Sequence, residues 1–324
     1  MSQEGREEEG RRGPAGDTGT EDELARALRE FTNALRARVA DFDSTAKGVD
    51  PGELFASLRR SLGAMGMRSR PAEIDDFGMD TSTLSAAAPF LDFLADRYWR
   101  VETHRAESLP APALFVANRG GLLPYDGLIL SHLLARAEPG RPRPRFLWTD
   151  GVESMPFVTP WLTRMGAVRA GRENAERLLR SGRSVIAFPE GASAPRKSFA
   201  DRYRVGSFGR GGIVRLAVET GVPVVPVGIV GAEEAHPLLG RAPSVGGGPF
   251  LPVTPTFPLL GVAGLLPLPV RWSIVFGEPI AWEESEAAVV GDELWLARTT
   301  AGLRRQVEAL VQEGLETRAA SSGG

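Results

Sequence analysis

The sequence predicts an α/β fold with a mostly buried mixed sheet flanked by helices. From about residue 83, short apolar runs alternate with stretches in which apolar residues recur at helical spacing. The runs are apolar at almost every position, which is typical of strands covered on both faces. With 324 residues, of which 42% are hydrophobic, the chain is long enough to bury a sizeable core.

The chain before this domain divides into two parts. Residues 1–19 are rich in Gly, Glu and Arg and nearly lack apolar side chains, so they predict a disordered acidic tail. Residues 20–82 predict an N-terminal helical section, because apolar residues recur every three or four positions after a capping-box signature and again after a proline. We expect the α/β domain to span 83–315 and residues 316–324 to form a flexible tail.

The elements of the domain follow one another along the chain. A helix is expected near 83–98, followed by a strand near 99–103 and by an apolar strand at 113–117. Later elements are expected, in chain order, as a helix from Asp126, strands near 146–148 and 184–188, a helix near 209–220, a strand near 222–230 and a C-terminal helix near 292–315. Loops that follow the strands should carry the chemistry.

Composition excludes several classes of function. The chain has no cysteine, which excludes disulfide scaffolds, cysteine nucleophiles and thiolate metal sites. Three scattered histidines predict no metal site, and no dense basic run points to nucleic acid. The N-terminus does not have the pattern of a signal peptide, so a cytoplasmic location is expected.

One segment differs from the rest of the domain. Residues 242–270 contain no charged side chain and seven prolines, a density that excludes a continuous membrane-spanning helix. The segment is either a buried Pro-rich connection or an apolar surface that enters the membrane interface or lines an acyl-chain site. The second interpretation predicts a peripheral protein at the inner face of the membrane.

Four short segments carry the candidate chemistry. The first, Asn118–Asp126, leaves a strand through glycines and reaches an aspartate at a helix start. It is followed along the chain by Gly166–Asn174, by the Phe-Pro-Glu-Gly turn at Phe188–Gly191 and by the Pro-containing strand Val222–Val227. Each segment is a weak signal alone, but their order and spacing together are specific.

Together these segments resemble the phospholipid and glycerol acyltransferase superfamily, over roughly residues 90–285. The resemblance implies a glycerolipid acyltransferase-like fold. It also implies acyl transfer from acyl-CoA or acyl carrier protein to a lysophospholipid or glycerol phosphate acceptor. The acyl donor is then a co-substrate, and no other cofactor is expected.

The resemblance also assigns roles to individual residues. In the superfamily the first segment supplies a His that takes the proton of the acceptor hydroxyl and an Asp that orients it, and Asp126 matches that Asp. Arg172 and Glu190 match the residues that help to hold the glycerol phosphate, with Gly191 beside them. Lys197 follows closely and is a further candidate for substrate binding, although a solvated loop cation is the alternative.

The first segment departs from the superfamily at the position of the catalytic His, which is Arg119. A guanidinium stays protonated and cannot act as a general base. Arg119 is therefore expected to stabilise an oxyanion, to bind a carrier phosphate or to pair with Asp126. Of the histidines, His236 is a candidate for the pocket, whereas His104 and His132 are expected to be structural.

Two functions follow from this departure. The chain is a glycerolipid acyltransferase, or it is a catalytically degenerate partner protein that binds lipid at the membrane on the same scaffold.

Overall fold

A mixed sheet with helices on both faces forms the protein, as the sequence predicts. The computed structural model describes residues 74–121, 123–149, 158–191, 197–242, 251–254, 267–282 and 291–322. The helices are α1 (Thr81–Asp92), α2 (Tyr125–Ala137), α3 (Val158–Arg164), α4 (Arg172–Arg180), α5 (Gly212–Thr220), α6 (Ala232–Ala235) and α7 (Glu293–Ser322). The strands are β1 (Glu102–His104), β2 (Leu114–Ala117), β3 (Arg145–Trp148), β4 (Ala167–Arg169), β5 (Val185–Ala187), β6 (Val224–Val230), β7 (Gly240–Ala242), β8 (Leu251–Val253) and β9 (Ser273–Phe276). A π-helical segment, Phe93–Tyr98, continues α1, and a 3₁₀ turn spans Phe199–Asp201.

Seven of the described strands form one sheet in the order β1-β9-β6-β2-β5-β3-β4, and β7 pairs with β8 separately. The five strands from β6 to β4 are parallel, whereas β9 pairs with β6 in the antiparallel sense. Phe115 in β2 is level with Ile186 in β5 and with Val225 in β6. The carboxyl ends of these five strands therefore meet at one edge of the sheet.

The alternation of side chains along β2 explains why helices cover both faces. Phe115 packs into a core with side chains of α1 and α2, while Leu114 and Val116 point to a second core with α4, α5 and α7. All four residues of β2 are buried. An apolar run with no polar alternation is thus the sequence of a central strand.

Several sequence-based boundaries differ from the structure. The C-terminal helix continues to Ser322, so residues 316–322, predicted as a flexible tail, are helical instead. Its last turns are held on the domain because Arg318 pairs with Glu234 through two hydrogen bonds. At the other end of the domain, α1 begins at Thr81, two residues before the predicted start.

Other predictions fall outside the described residues. These are the tail at 1–19, almost all of the helical section at 20–82, and most of the uncharged segment 242–270. No helix among the described residues is both long and apolar enough to cross a membrane.

Candidate functional site

The candidate site lies at the shared carboxyl edge of the parallel strands. The chain leaves β2 at Asn118, β3 at Thr149, β5 at Phe188 and β6 at Gly231. Because β2 lies between β5 and β6, residues after β2 are flanked on both sides by the residues that follow its neighbours. In open α/β sheets this edge is where ligands bind.

Asn118 fixes the start of the site by joining β2 to β6. Its side-chain Nδ2 donates to the carbonyl oxygen of Ile229 at 2.9 Å, and its Oδ1 accepts from the Ile229 N–H at 2.7 Å. The amide is buried, and its two bonds extend the ladder by one step beyond Ala117. The backbone that follows is therefore held in place where the glycine turn begins.

Asp126 closes the turn from the other end. Its Oδ2 accepts from the Gly120 N–H at 3.0 Å and its Oδ1 from the Gly127 N–H at 2.8 Å. Burial raises the pKa of the Asp126 carboxyl to about 6, against the opposing effects of Arg119 and of these backbone N–H groups. The carboxyl group thus titrates close to neutral pH.

The Arg119 side chain lies in the site and is only 2% exposed. Its guanidinium stacks on the Trp148 ring at 4.6 Å and donates from Nη1 to the Thr149 hydroxyl at 3.2 Å. Among the described residues no acceptor meets the buried Nε of Arg119 or the indole N–H of Trp148. Burial lowers the pKa of the guanidinium, although Asp126 and Glu190 oppose that shift.

One hypothesis for Arg119 is wrong. The sequence allowed a charge pair between Arg119 and Asp126 that secures the turn. Within the described residues the two side chains form no ion pair, and backbone N–H groups of Gly120 and Gly127 hold Asp126 instead. The guanidinium is therefore available, with an unpartnered Nε, for an oxyanion or another acceptor.

Glu190 reaches Arg119 from the adjacent strand end. Its Oε1 accepts from the Arg119 backbone N–H at 3.0 Å, and its Oε2 accepts from the Gly206 N–H at 2.8 Å. The Glu190 side chain is fully buried. Gly191, which follows it, has a φ of +62° that favours glycine and turns the chain away. The structure thus brings Arg119, Asp126 and Glu190 together, as the sequence predicts for the first and third segments.

Lys197 and Glu233 complete the cluster. The Lys197 ammonium lies 2.8 Å from Glu190 Oε2 and 3.3 Å from Glu233 Oε1. Its side chain is 16% exposed, so the expectation of a solvated loop cation is wrong. The sequence analysis did not single out Glu233. The available signal was its place three residues after the end of a buried strand.

Burial raises the pKa of the Glu233 carboxyl to about 7, although Lys197 and the Tyr203 N–H lower it. That N–H donates to Glu233 Oε2 at 2.8 Å, and Tyr203 adopts a left-handed φ of +67°. A non-glycine residue in this region stores backbone strain, which persists where the surroundings impose it. For Lys197, burial opposes the charge, but Glu233 and Glu190 outweigh it and raise the pKa of the ammonium.

Comparison with known proteins identifies the family. A family model described as acyltransferase matches residues 100–230. The chain belongs to the acyltransferase family. Uncharacterized proteins of Mycobacterium tuberculosis and Mycobacterium bovis are each 36% identical to it over 306 residues, which cover 92% of this chain and 84% of theirs. One from Mycobacterium leprae is 40% identical over 248 residues, 75% of this chain and 66% of that protein.

Among solved structures, the 1-acyl-sn-glycerophosphate acyltransferase PlsC from Thermotoga maritima is similar at 20% identity with a TM-score of 0.42. The match covers 90% of this chain and 98% of that one. The matched family range includes all four segments on which the resemblance rests and ends with β6.

Arg172, the candidate site residue of the second segment, lies apart from the cluster. Arg172 begins α4 after β4, its side chain is half exposed, and it pairs with Glu219 at the end of α5. No ion pair of the described residues joins it to Glu190. Its role in substrate binding remains a prediction.

The histidines take no part in the hydrogen bonds that join Arg119, Asp126 and Glu190. His132 lies on α2 with Nε2 at 2.8 Å from Asp92, which fits the expected structural role. His236 is buried and its ring stacks on the Tyr125 ring at 5.3 Å, with an interplanar angle of 4°. No group of three or more acidic and histidine side chains in the described part of the chain is arranged to hold a metal ion.

Proposed function

We propose that the protein transfers an acyl group from acyl-CoA or acyl carrier protein to the hydroxyl group of a lysophospholipid or glycerol phosphate. The observation that carries the proposal is the meeting of Arg119, Asp126 and Glu190 at the carboxyl edge of the sheet. Membership of the acyltransferase family supports the reaction class, and the hydrogen bonds to Asp126 and Glu190 support the place.

In the proposed reaction the acceptor hydroxyl oxygen attacks the thioester carbonyl carbon. A new C–O bond forms, the C–S bond breaks, and the hydroxyl proton passes through the Asp126 carboxylate to the departing thiolate. Each carboxylate oxygen of Asp126 accepts one backbone N–H and retains a second lone pair for this proton. The unpartnered Nε–H of Arg119 would stabilise the oxyanion of the tetrahedral intermediate.

We also propose that the uncharged segment 242–270 places this site against the inner face of the membrane. The two ends of the segment support this placement. It begins at the end of β7, and it returns where the Leu268 N–H donates to the carbonyl oxygen of Ala235 at the end of α6, two residues after Glu233. Tyr98 and Trp99 also bond to carbonyl groups of the returning chain. A segment anchored beside the site would deliver a membrane-resident acceptor to it.

Flotation of the full-length protein with phosphatidylglycerol–phosphatidylethanolamine vesicles tests this placement. We expect the protein to float with the vesicles and a Leu259→Asp, Leu260→Asp double variant to stay behind. Wild-type protein that remains unbound, or a double variant that binds equally well, would contradict the placement.

Mass spectrometry of acyl transfer by purified protein tests the proposed reaction. The assay uses a panel of acyl-CoA and acyl carrier protein donors with mixed lysophospholipids and glycerol phosphate. We expect new phospholipid with the wild type and a loss of about 100- to 10,000-fold in Asp126→Asn, the usual range for a general base. Glu190→Gln should weaken acceptor binding. Product that forms equally in all three proteins would refute the assigned site.

A second function is favoured by the charge and contacts of the same residues. Arg119 cannot accept a proton, and both oxygens of Asp126 already accept backbone N–H groups, as expected of a degenerate enzyme that binds lipid without turnover. Arg119→His distinguishes the two cases. An increase in transfer indicates an intact pocket that lacks only a base, whereas no product in either protein, with acyl-CoA still bound, indicates a binding scaffold.

A further inference from the structure

Within the described part of the chain, Lys197 is the only ammonium group in the buried cluster, and nothing in the proposed reaction uses it. We propose that Lys197 is a positioning residue that holds the Glu190 carboxylate aimed at the turn after β2, and so sets the affinity for the acceptor. This inference rests on the proposed function, in which Glu190 holds the acceptor.

The contacts of the two carboxylates carry the argument. Glu190 follows β5 and Glu233 follows β6, so they reach the site from opposite sides of β2. Lys197 spans them, with its Nζ 2.8 Å from Glu190 Oε2 and 3.3 Å from Glu233 Oε1. The remaining oxygen of Glu190 accepts the Arg119 N–H. The ammonium therefore links the residues that follow β5 and β6, the two strands beside β2, to Arg119, whose guanidinium lies in the site.

The negative charges of Glu190 and Glu233 require a cation between them, and Lys197 supplies it. Two buried carboxylates repel one another, and Glu190 is among the groups that raise the pKa of Glu233. Lys197 offsets that repulsion, because its ammonium contacts both carboxylates. Without Lys197, we expect the repulsion between Glu190 and Glu233 to move the two side chains apart. Glu190 would then lose part of its hold on the backbone and on a hydroxyl donor.

The choice of residue fits the available space. Only two of the 38 basic residues are lysine, Lys47 and Lys197, so arginine is the common cation of this chain. At Gly206 even a Cβ atom would come within 2.8 Å of Glu190 Oε2, so the surroundings of that oxygen are tight. An ammonium is compact, whereas a planar guanidinium is larger and presents a fixed fork of donors.

Kinetics of full-length variants test the effect on the acceptor, with 1-oleoyl-glycerol 3-phosphate and oleoyl-CoA as probes. For Lys197→Met we expect the acceptor KM to rise about 10- to 100-fold, the worth of a hydrogen bond to a charged group, with kcat within about threefold. Lys197→Arg, which keeps the charge, should restore part of the loss.

Arg318→Met is the matched control. It removes a buried cation from Glu234, the neighbour of Glu233, but not from the site. We expect it to lower the melting temperature and leave KM unchanged. Equal KM changes in Lys197→Met and Arg318→Met, or a fall in kcat alone, would overturn the inference.

Nuclear magnetic resonance provides a readout that does not depend on turnover. Protein labelled with ¹⁵N-lysine has two side-chain ammonium groups, and Lys47→Arg assigns the signals. We expect the pKa of the Lys197 ammonium to lie above the ordinary lysine value and to fall in Glu190→Gln, although Glu233 still raises it. A Lys197 signal unaffected by Glu190→Gln would overturn the inference. If the wild type transfers no acyl group, the proposed function fails, and the inference is decided by this measurement.

Discussion

The buried Asn118 side chain is expected to contribute more to the free energy of unfolding than a polar side chain of the same size does on the surface. Replacing it by Ala removes two hydrogen bonds and leaves the N–H and C=O of Ile229 buried without their partner. Each buried group left unpaired costs about 1–3 kcal/mol, so we expect Asn118→Ala to lower the free energy of unfolding by about 2–6 kcal/mol. Urea denaturation, with an unchanged m value, measures the difference.

Asn118→Asp adds a dependence on pH to the same prediction. An ionised Asp keeps the acceptor for the Ile229 N–H but loses the donor and buries a charge, whereas a protonated Asp donates again. The variant should therefore be much less stable than the wild type at pH 7 and recover part of the difference as pH falls toward 5. Ser131→Ala, which removes one buried hydrogen bond to Pro144, is the control and should cost about 1 kcal/mol. An Asn118→Ala variant no less stable than Ser131→Ala would refute this account of the β2–β6 junction.

Three further predictions address the turn, the first helix and the carboxylate. In Gly120→Ala the new Cβ would lie 2.5 Å from the Cβ of Ala232, so we expect a loss of about 1–3 kcal/mol in urea denaturation; Gly212→Ala, with no atom within 4 Å, should be nearly neutral. Asp80 caps α1. Its burial raises the pKa of the carboxyl, but hydrogen bonds at the helix start outweigh this and lower it to about 2. Asp80→Ala should therefore cost about 1 kcal/mol at pH 7, and the difference should vanish as pH falls from about 4 toward 2; a constant difference would count against it. With Asp126 as the base, acyl transfer should rise as pH increases through about 6, and a flat profile would exclude that role.

The fold was largely predictable because its strands are covered on both faces. Runs such as 113–117 and 222–230 are apolar at nearly every position, and they correspond to β2 and β6 at the centre of the sheet. The short strands β4 and β9 were not predicted. Their three or four residues carry too little pattern, and their strand state depends on pairing with β3 and β6, far away in the sequence.

The parts of the site that were predictable from the sequence are those in which a short local pattern identifies the residue. Glycines and Asp126 at a helix start, and Glu190 in a turn, are local patterns that the structure places together. The contact of Lys197 with Glu190 and Glu233 was not predictable, since it joins residues 7 and 36 positions apart through the order of the strands. Likewise, the feature that distinguishes Lys197 from a solvated cation is its burial, and burial is known only once the chain is folded.

The way in which the turn after β2 is held has a consequence for how this protein can evolve. Glu190 and Asp126 accept hydrogen bonds from the backbone N–H groups of residues 119 and 120, and these bonds do not involve the side chains at those positions. Every amino acid except proline offers that N–H. Exchange of the side chain at position 119 therefore leaves the hydrogen bonds that shape the turn intact. A single substitution at position 119 can therefore introduce a base without disturbing the backbone that surrounds it.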